Sequence, residues 1–113
     1  MRSPEAVVQR QLEAYNARDL ARFLAEYAED IAIFRLPAVL PALRGKAAFG
    51  EYYATQRFNR AGLHAEIVNR IAFGNKVIDH ERITGVRDQP IDVAAVYEVV
   101  DGLIARAWFL AAD

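Results

Sequence analysis

The chain has 113 residues, enough for one domain whose core needs no disulfide or metal staple. Its 54% hydrophobic and 26% charged residues fit a soluble globular protein, and a formal charge of −1 excludes the basic footprint of a nucleic-acid binder. Cysteine is absent, so disulfides and thiolate zinc sites are excluded.

Ser3 can cap a first helix and Pro4 suits its first turn, where a missing N–H costs nothing. Val8, Leu12 and Tyr15 then repeat at helical spacing until Asn16-Ala17-Arg18. Asp19 can cap a second helix with the apolar stripe Leu20, Phe23, Leu24 and Tyr27. Ile31 to Arg35 reads as a short strand, and Pro37 and Pro41 bound a loop. After Gly45, the residues Phe49, Tyr52 and Tyr53 mark a third helix that ends before Gly62. From Leu63 onward the pattern is β. Runs over 64–73 and 76–86 are joined by Gly74-Asn75, and runs over 91–100 and 103–111 by Asp101-Gly102, a strong hairpin signal. Helices followed by an antiparallel meander define an α+β domain over 1–113, with the helices on one face of a curved sheet.

The segment Val77-Ile78-Asp79-His80-Glu81-Arg82-Ile83-Thr84-Gly85 sets four ionisable side chains in a row inside this apolar half. Strand alternation puts His80, Arg82 and Thr84 on one face and Asp79 and Glu81 on the other. A polar row on an interior face is costly unless it is paired or serves a ligand. The same alternation separates His80 from both carboxylates, and His64 stands on another strand, so no metal site is expected. No apolar signal core opens the sequence and no stretch is long enough to span a membrane, so a cytoplasmic protein without membrane or nucleic-acid partners is expected.

Four pieces in this order resemble the nuclear-transport-factor-two-like superfamily: Ala14-Tyr15-Asn16-Ala17-Arg18-Asp19-Leu20, Ala28-Glu29-Asp30-Ile31, Gly45-Lys46-Ala47, and Tyr97 to Ile104 with Trp108. That superfamily includes ketosteroid isomerases, SnoaL-like polyketide cyclases and limonene epoxide hydrolases. The resemblance implies a cystatin-like α+β barrel: a cone-shaped, curved antiparallel sheet packed with three N-terminal helices around a ligand pocket. It also implies a homodimer formed through the outer sheet face. The isomerases' oxyanion-hole tyrosine falls at Gln11, their base at Arg35 and their protonated aspartate at Val96; only Tyr53 matches a supporting tyrosine. The epoxide hydrolases' arginine falls at Arg82, but Thr84 and Phe109 stand where their two carboxylates belong. The aspartate of the cyclases is absent near Val96. Neither enzyme mechanism transfers, and a fold alone does not settle function.

Both alignments turn residues 80, 82, 84, 96 and 109 into the pocket. Counting from the Gly74-Asn75 turn pairs Asn69 with His80, Ile67 with Arg82 and Ile71 with Ile78 on that face, and leaves Arg70–Asp79 as an outer ion pair. Counting from Asp101-Gly102 puts Ala94 with Phe109, Val96 with Ala107 and Glu98 with Ala105 inside, with Tyr97 and Trp108 outside; a bulge would shift each by a face. On these faces His80 is either a buried histidine held by Asn69 or a general base. Arg82 needs either a carboxylate such as Glu98 or an anionic ligand. Tyr15 and Tyr53 are the pocket tyrosines, Arg35 reaches the rim and Phe109 supplies apolar wall. The function expected is binding of a mostly apolar small molecule bearing a carboxylate or carbonyl, with cofactor-free isomerisation, cyclisation or hydration if it is an enzyme. The alternative is a non-catalytic binding or dimerisation module.

Overall fold

The computed structural model describes residues 3–112. Helix α1 (Pro4–Asn16) begins where the Ser3 hydroxyl accepts the Ala6 N–H at 3.1 Å, and α2 (Leu20–Leu24) begins where the Asp19 carboxylate accepts the Arg22 N–H at 3.1 Å. The second helix stops earlier than its apolar stripe implies. Tyr27 opens strand β1 (Tyr27–Arg35), because the chain there pairs with the far end of the molecule through the Ile104 N–H and the Glu26 carbonyl. Strand β2 (Leu43–Arg44) lies within the stretch read as loop, and α3 (Lys46–Gln56) follows Gly45. Strands β3 (His64–Phe73), β4 (Lys76–Thr84), β5 (Ile91–Val100) and β6 (Leu103–Ala111) form the meander at the expected positions.

The fold is α+β: the described residues form three helices and one curved, unclosed sheet in the order β2-β1-β6-β5-β4-β3. It is not wholly antiparallel: β1 runs parallel to β6, which brings the N-terminal strand beside the last one. One core joins helices to sheet. Val7, Val8, Leu12 and Tyr15 of α1, Phe23 of α2 and Phe49 of α3 pack on Tyr27, Ile33, Val77, Tyr97 and Ile104. Phe23, Tyr27 and Phe49 hold each other with ring centroids 4.5–5.7 Å apart.

Two irregularities in strand pairing change which residues of neighbouring strands share a face. Near the Gly74-Asn75 turn the pairs Asn69–His80, Arg70–Asp79 and Ile71–Ile78 stand as counted, but the register slips at Val68 and sets Ile67 opposite Glu81. In the second hairpin the register slips past Ala105, so Glu98 faces Arg106, Tyr97 faces Ala107 and Val96 faces Trp108. The inner face of β4 is Val77, Asp79 and Glu81, exposed by 0%, 0% and 5%. The expected facing is therefore reversed: His80, Arg82, Asn69, Val96 and Glu98 belong to the outer face, and Tyr97 to the inner one. The cause is physical. Both faces of this sheet carry apolar side chains, so alternation fixes which residues share a face without fixing which face is buried.

Candidate functional site

Between the helices and the inner sheet face lies a cavity of about 200 Å³. Its floor is made by the buried side chains of Gln11, Tyr27, Glu81 and Tyr97. Its mouth is made by the more exposed Arg35, Leu36, Tyr52 and Arg57. Ile33, Leu43, Ile83, Val93 and Phe109 supply apolar wall, and Phe109 meets Tyr97 edge to face with centroids 6.1 Å apart. Of the residues singled out from sequence, Tyr15, Tyr53, Arg35 and Phe109 line this cavity.

The others do not. On the outer face Arg82 Nε donates to Asp92 Oδ1 at 3.0 Å, and His80 Nε2 stands 3.4 Å from Asp92 Oδ2. The Arg82 guanidinium and then His80 hold the Asp92 carboxyl below its ordinary range. Glu98, the carboxylate considered for Arg82, accepts instead from Arg106 Nε and lies 3.6 Å from Lys76 Nζ. Asn69 faces His80 across the same outer surface.

The ionisable group that the floor presents is Glu81. Burial pushes its carboxyl up from the ordinary 4.5 to about 7. Tyr97 Oη donates to Glu81 Oε2 at 2.9 Å and Arg70 draws the value down, while Asp79 adds to the rise. Asp79, two residues earlier and wholly buried, is held by Arg70 through a fork of 2.7 and 3.0 Å, and Arg70 also donates to Gln9 Oε1 at 2.8 Å. Asp79 is thereby committed to structure, and Glu81 is left open to the cavity. Burial raises the Tyr97 and Tyr27 hydroxyls well above their ordinary range, so both stay protonated. Tyr27 Oη donates to Gln11 Oε1 at 3.0 Å, which turns the Gln11 amide NH₂ free for another acceptor. The Tyr53 hydroxyl has no hydrogen-bond partner among the described residues, and burial raises it too. The Tyr15 hydroxyl is pushed up to about 12 by burial, an effect partly offset by Arg57 beside it.

The floor thus combines one carboxyl that titrates near neutrality with neutral donors that can face an oxygen. Among the described residues no three His, Cys, Asp or Glu side chains gather as metal ligands. No described helix is long and apolar enough to cross a membrane. Gln11, Tyr27, Tyr52, Arg57, Glu81 and Tyr97 are polar cavity residues that sequence reading did not place among the site candidates, although the resemblance set Gln11 at the isomerases' tyrosine position. Gln11 carries a usable signal, since it shares the helical stripe of Val8, Leu12 and Tyr15.

A helix-covered, open curved sheet around such a cavity defines a cystatin-like, nuclear-transport-factor-two-like protein. The chain belongs to the SnoaL-like domain family, whose model matches residues 8–107. Among solved structures it is similar to an uncharacterized cystatin-fold protein from Novosphingobium aromaticivorans, at 23% identity over 96% of this chain and 98% of that chain, with a TM-score of 0.86. A SnoaL-like protein of unknown function from Burkholderia thailandensis shares 24% identity over 97% of this chain and 94% of that one, with a TM-score of 0.79. A computationally designed 17-OHP binder shares 16% over 96% and 91%, with a TM-score of 0.82. At these identities the likeness is one of fold. No protein of curated function matches the sequence.

Proposed function

We propose that this chain binds a small, mostly apolar carbonyl compound and moves a proton on it, with Glu81 as the acid–base group. The observation that carries the proposal is a carboxyl 5% exposed that opens on the cavity, where burial pushes it up to about 7. A base matched to neutral pH gives the best product of correct ionisation and driving force. Glu81 takes a proton from the carbon beside the carbonyl, and the bond electrons move to the carbonyl oxygen. The Gln11 amide and the Tyr53 hydroxyl are the neutral donors available to that oxygen. Return of the proton from Glu81 to the same carbon completes exchange; in a ligand with a β,γ double bond, its return to the γ carbon completes isomerisation. Size points to one ring: an engineered apolar cavity of about 150 Å³ holds benzene, and this one is about 200 Å³. The designed 17-OHP binder supports a ligand-binding use of this fold.

Acetophenone in deuterium oxide tests this. Glu81-dependent deuterium uptake at its methyl group, lost in Glu81→Gln while the ketone still shifts the melting midpoint, supports proton transfer. Binding without uptake in the wild type makes the protein a non-catalytic binder instead.

The chain is also proposed to pair with a second copy through its outer sheet face. Ile71, Phe73 and Leu110 are at least half exposed there, beside Trp108 stacked on Phe34 at 5.6 Å. A stable pair buries roughly 1,200–2,000 Å² in total. Sedimentation of Phe73→Glu, Leu110→Glu as a monomer, against a wild-type dimer, supports this pairing; a wild-type monomer refutes it.

A further inference from the structure

The mouth of the cavity carries two guanidinium groups over one ring. Arg35 Cζ, from the end of β1, lies 5.7 Å from the Tyr52 ring centroid, and Arg57 Cζ, just past α3, lies 5.6 Å from it. A cation over an aromatic face is held in place without being neutralised. Arg10, Arg70, Arg82 and Arg106, by contrast, each meet a carboxylate. Among the described residues Arg35 and Arg57 meet none; Arg57 donates to the Gln56 carbonyl at 3.1 Å and lies beside the Tyr15 hydroxyl.

The charge balance of the cavity follows. Its ionisable lining is Arg35, Arg57 and Glu81 beside weakly acidic tyrosines, so it carries +1 with Glu81 ionised and +2 with Glu81 protonated. Two positive groups at the rim and a carboxyl on the floor dictate a direction. An anionic ligand group is favoured at the mouth and disfavoured beside Glu81, where a second carboxylate would be repelled. Guanidinium forks match carboxylates in shape as well as charge.

We propose that Arg35 and Arg57, set by Tyr52, form a carboxylate clamp, and that the ligand class is a one-ring acid bearing a carbonyl. The acid sits at the mouth and the carbonyl reaches toward Glu81. This deepens the proton-transfer function proposed above and rests on it for the placement of the carbonyl.

The probes are 4-acetylbenzoate and the isosteric, uncharged 4-acetylbenzamide, measured by calorimetry on wild type, Arg35→Gln, Arg57→Gln and the double variant. Arg22→Gln, away from the cavity, is the control. The expected result is at least about tenfold tighter binding of the acid in wild type and Arg22→Gln, shrinking with added salt and lost in the double variant. Arg35 is exposed, so Arg35→Gln alone reports on the clamp should Arg57→Gln impair folding. Equal binding of acid and amide by the wild type, or a preference that survives the double variant, overturns the clamp. The two proposals fail separately. Glu81-dependent deuterium uptake into the amide with no acid preference removes the clamp alone. Arginine-dependent acid binding with no uptake at the methyl group removes the proton transfer alone.

Discussion

Tyr97 Oη on β5 reaches Glu81 Oε2 on β4 at 2.9 Å, a buried hydrogen bond between neighbouring strands that leaves the carboxyl facing the cavity. It is the main contact that favours the ionised form of Glu81 against the penalty of burial. Replacing Tyr97 by Phe removes that contact, so the Glu81 carboxyl moves above 7 rather than below it. The loss of a hydrogen bond to a buried charged group costs about 1–3 kcal/mol above pH 8 and less at pH 5, where Glu81 is protonated. Urea unfolding at the two pH values measures both.

Glu81 also makes stability fall as pH rises. Its carboxyl titrates near 4.5 when unfolded and at about 7 when folded, so between those values the native state binds the extra proton. The stability it contributes is fully present below pH 4.5 and is lost as pH rises through 7, a difference of about 3 kcal/mol. Glu81→Gln abolishes this slope and unfolds at higher urea than wild type at pH 8. A wild type whose unfolding free energy is flat from pH 5 to 8 contradicts the assignment.

Asp79 and Arg70 form the structural counterpart. The Asp79 side chain is wholly buried and receives the Arg70 fork at 2.7 and 3.0 Å. Removing Arg70 leaves the wholly buried Asp79 charge without its partner, and Arg70→Ala costs about 3–5 kcal/mol. A loss of under about 1 kcal/mol, as for an exposed pair, contradicts the observed burial.

Gly85 and Gly74 separate crowding from conformation. Both have positive φ, +89° and +63°, but a Cβ on Gly85 would stand 2.3 Å from the Gly62 carbonyl carbon and oxygen, whereas one on Gly74 meets nothing within 4 Å. Gly74→Ala costs roughly the 1–2 kcal/mol of the left-handed backbone alone. Gly85→Ala costs more, because backbone must move, and thermal melts of the two variants side by side show the difference.

His80 and Arg82 are expected to be dispensable for the cavity. Their partner is Asp92 on the outer face, and exposed ion pairs contribute little. His80→Gln and Arg82→Gln leave acetophenone binding unchanged; loss of binding in either contradicts the facing.

Much of the fold was legible in the sequence. Ser3 and Asp19 cap the helices they announce, and the Gly74-Asn75 and Asp101-Gly102 turns fall between strands of the expected extent. The pairs next to the first turn, such as Arg70 with Asp79, were also countable. What could not be read was the buried face. Arg70–Asp79 resembles a surface ion pair, while Ile71 and Ile78 resemble core, yet the structure buries the first and turns the second outward. The slips at Val68 and Ala105 leave no mark in a hydrophobicity pattern, since Val and Ala suit either side of a bulge. Those two facts hid Glu81 and Tyr97 from the candidate site and brought forward His80, Arg82, Asn69 and Glu98. Tyr15 and Tyr53 line the cavity, and their placement was readable because helical spacing does not depend on strand register.

The proposed proton transfer depends on the ionisation of one carboxyl, that of Glu81. Carbon-13 NMR of side-chain carboxyl-labelled protein, with the Glu81 resonance assigned by its loss in Glu81→Gln, follows it directly from pH 4 to 9. The expected result is an inflection at about 7 that moves upward in Tyr97→Phe. An inflection near the ordinary 4.5, unmoved by Tyr97→Phe, contradicts the role of Glu81 as the acid–base group.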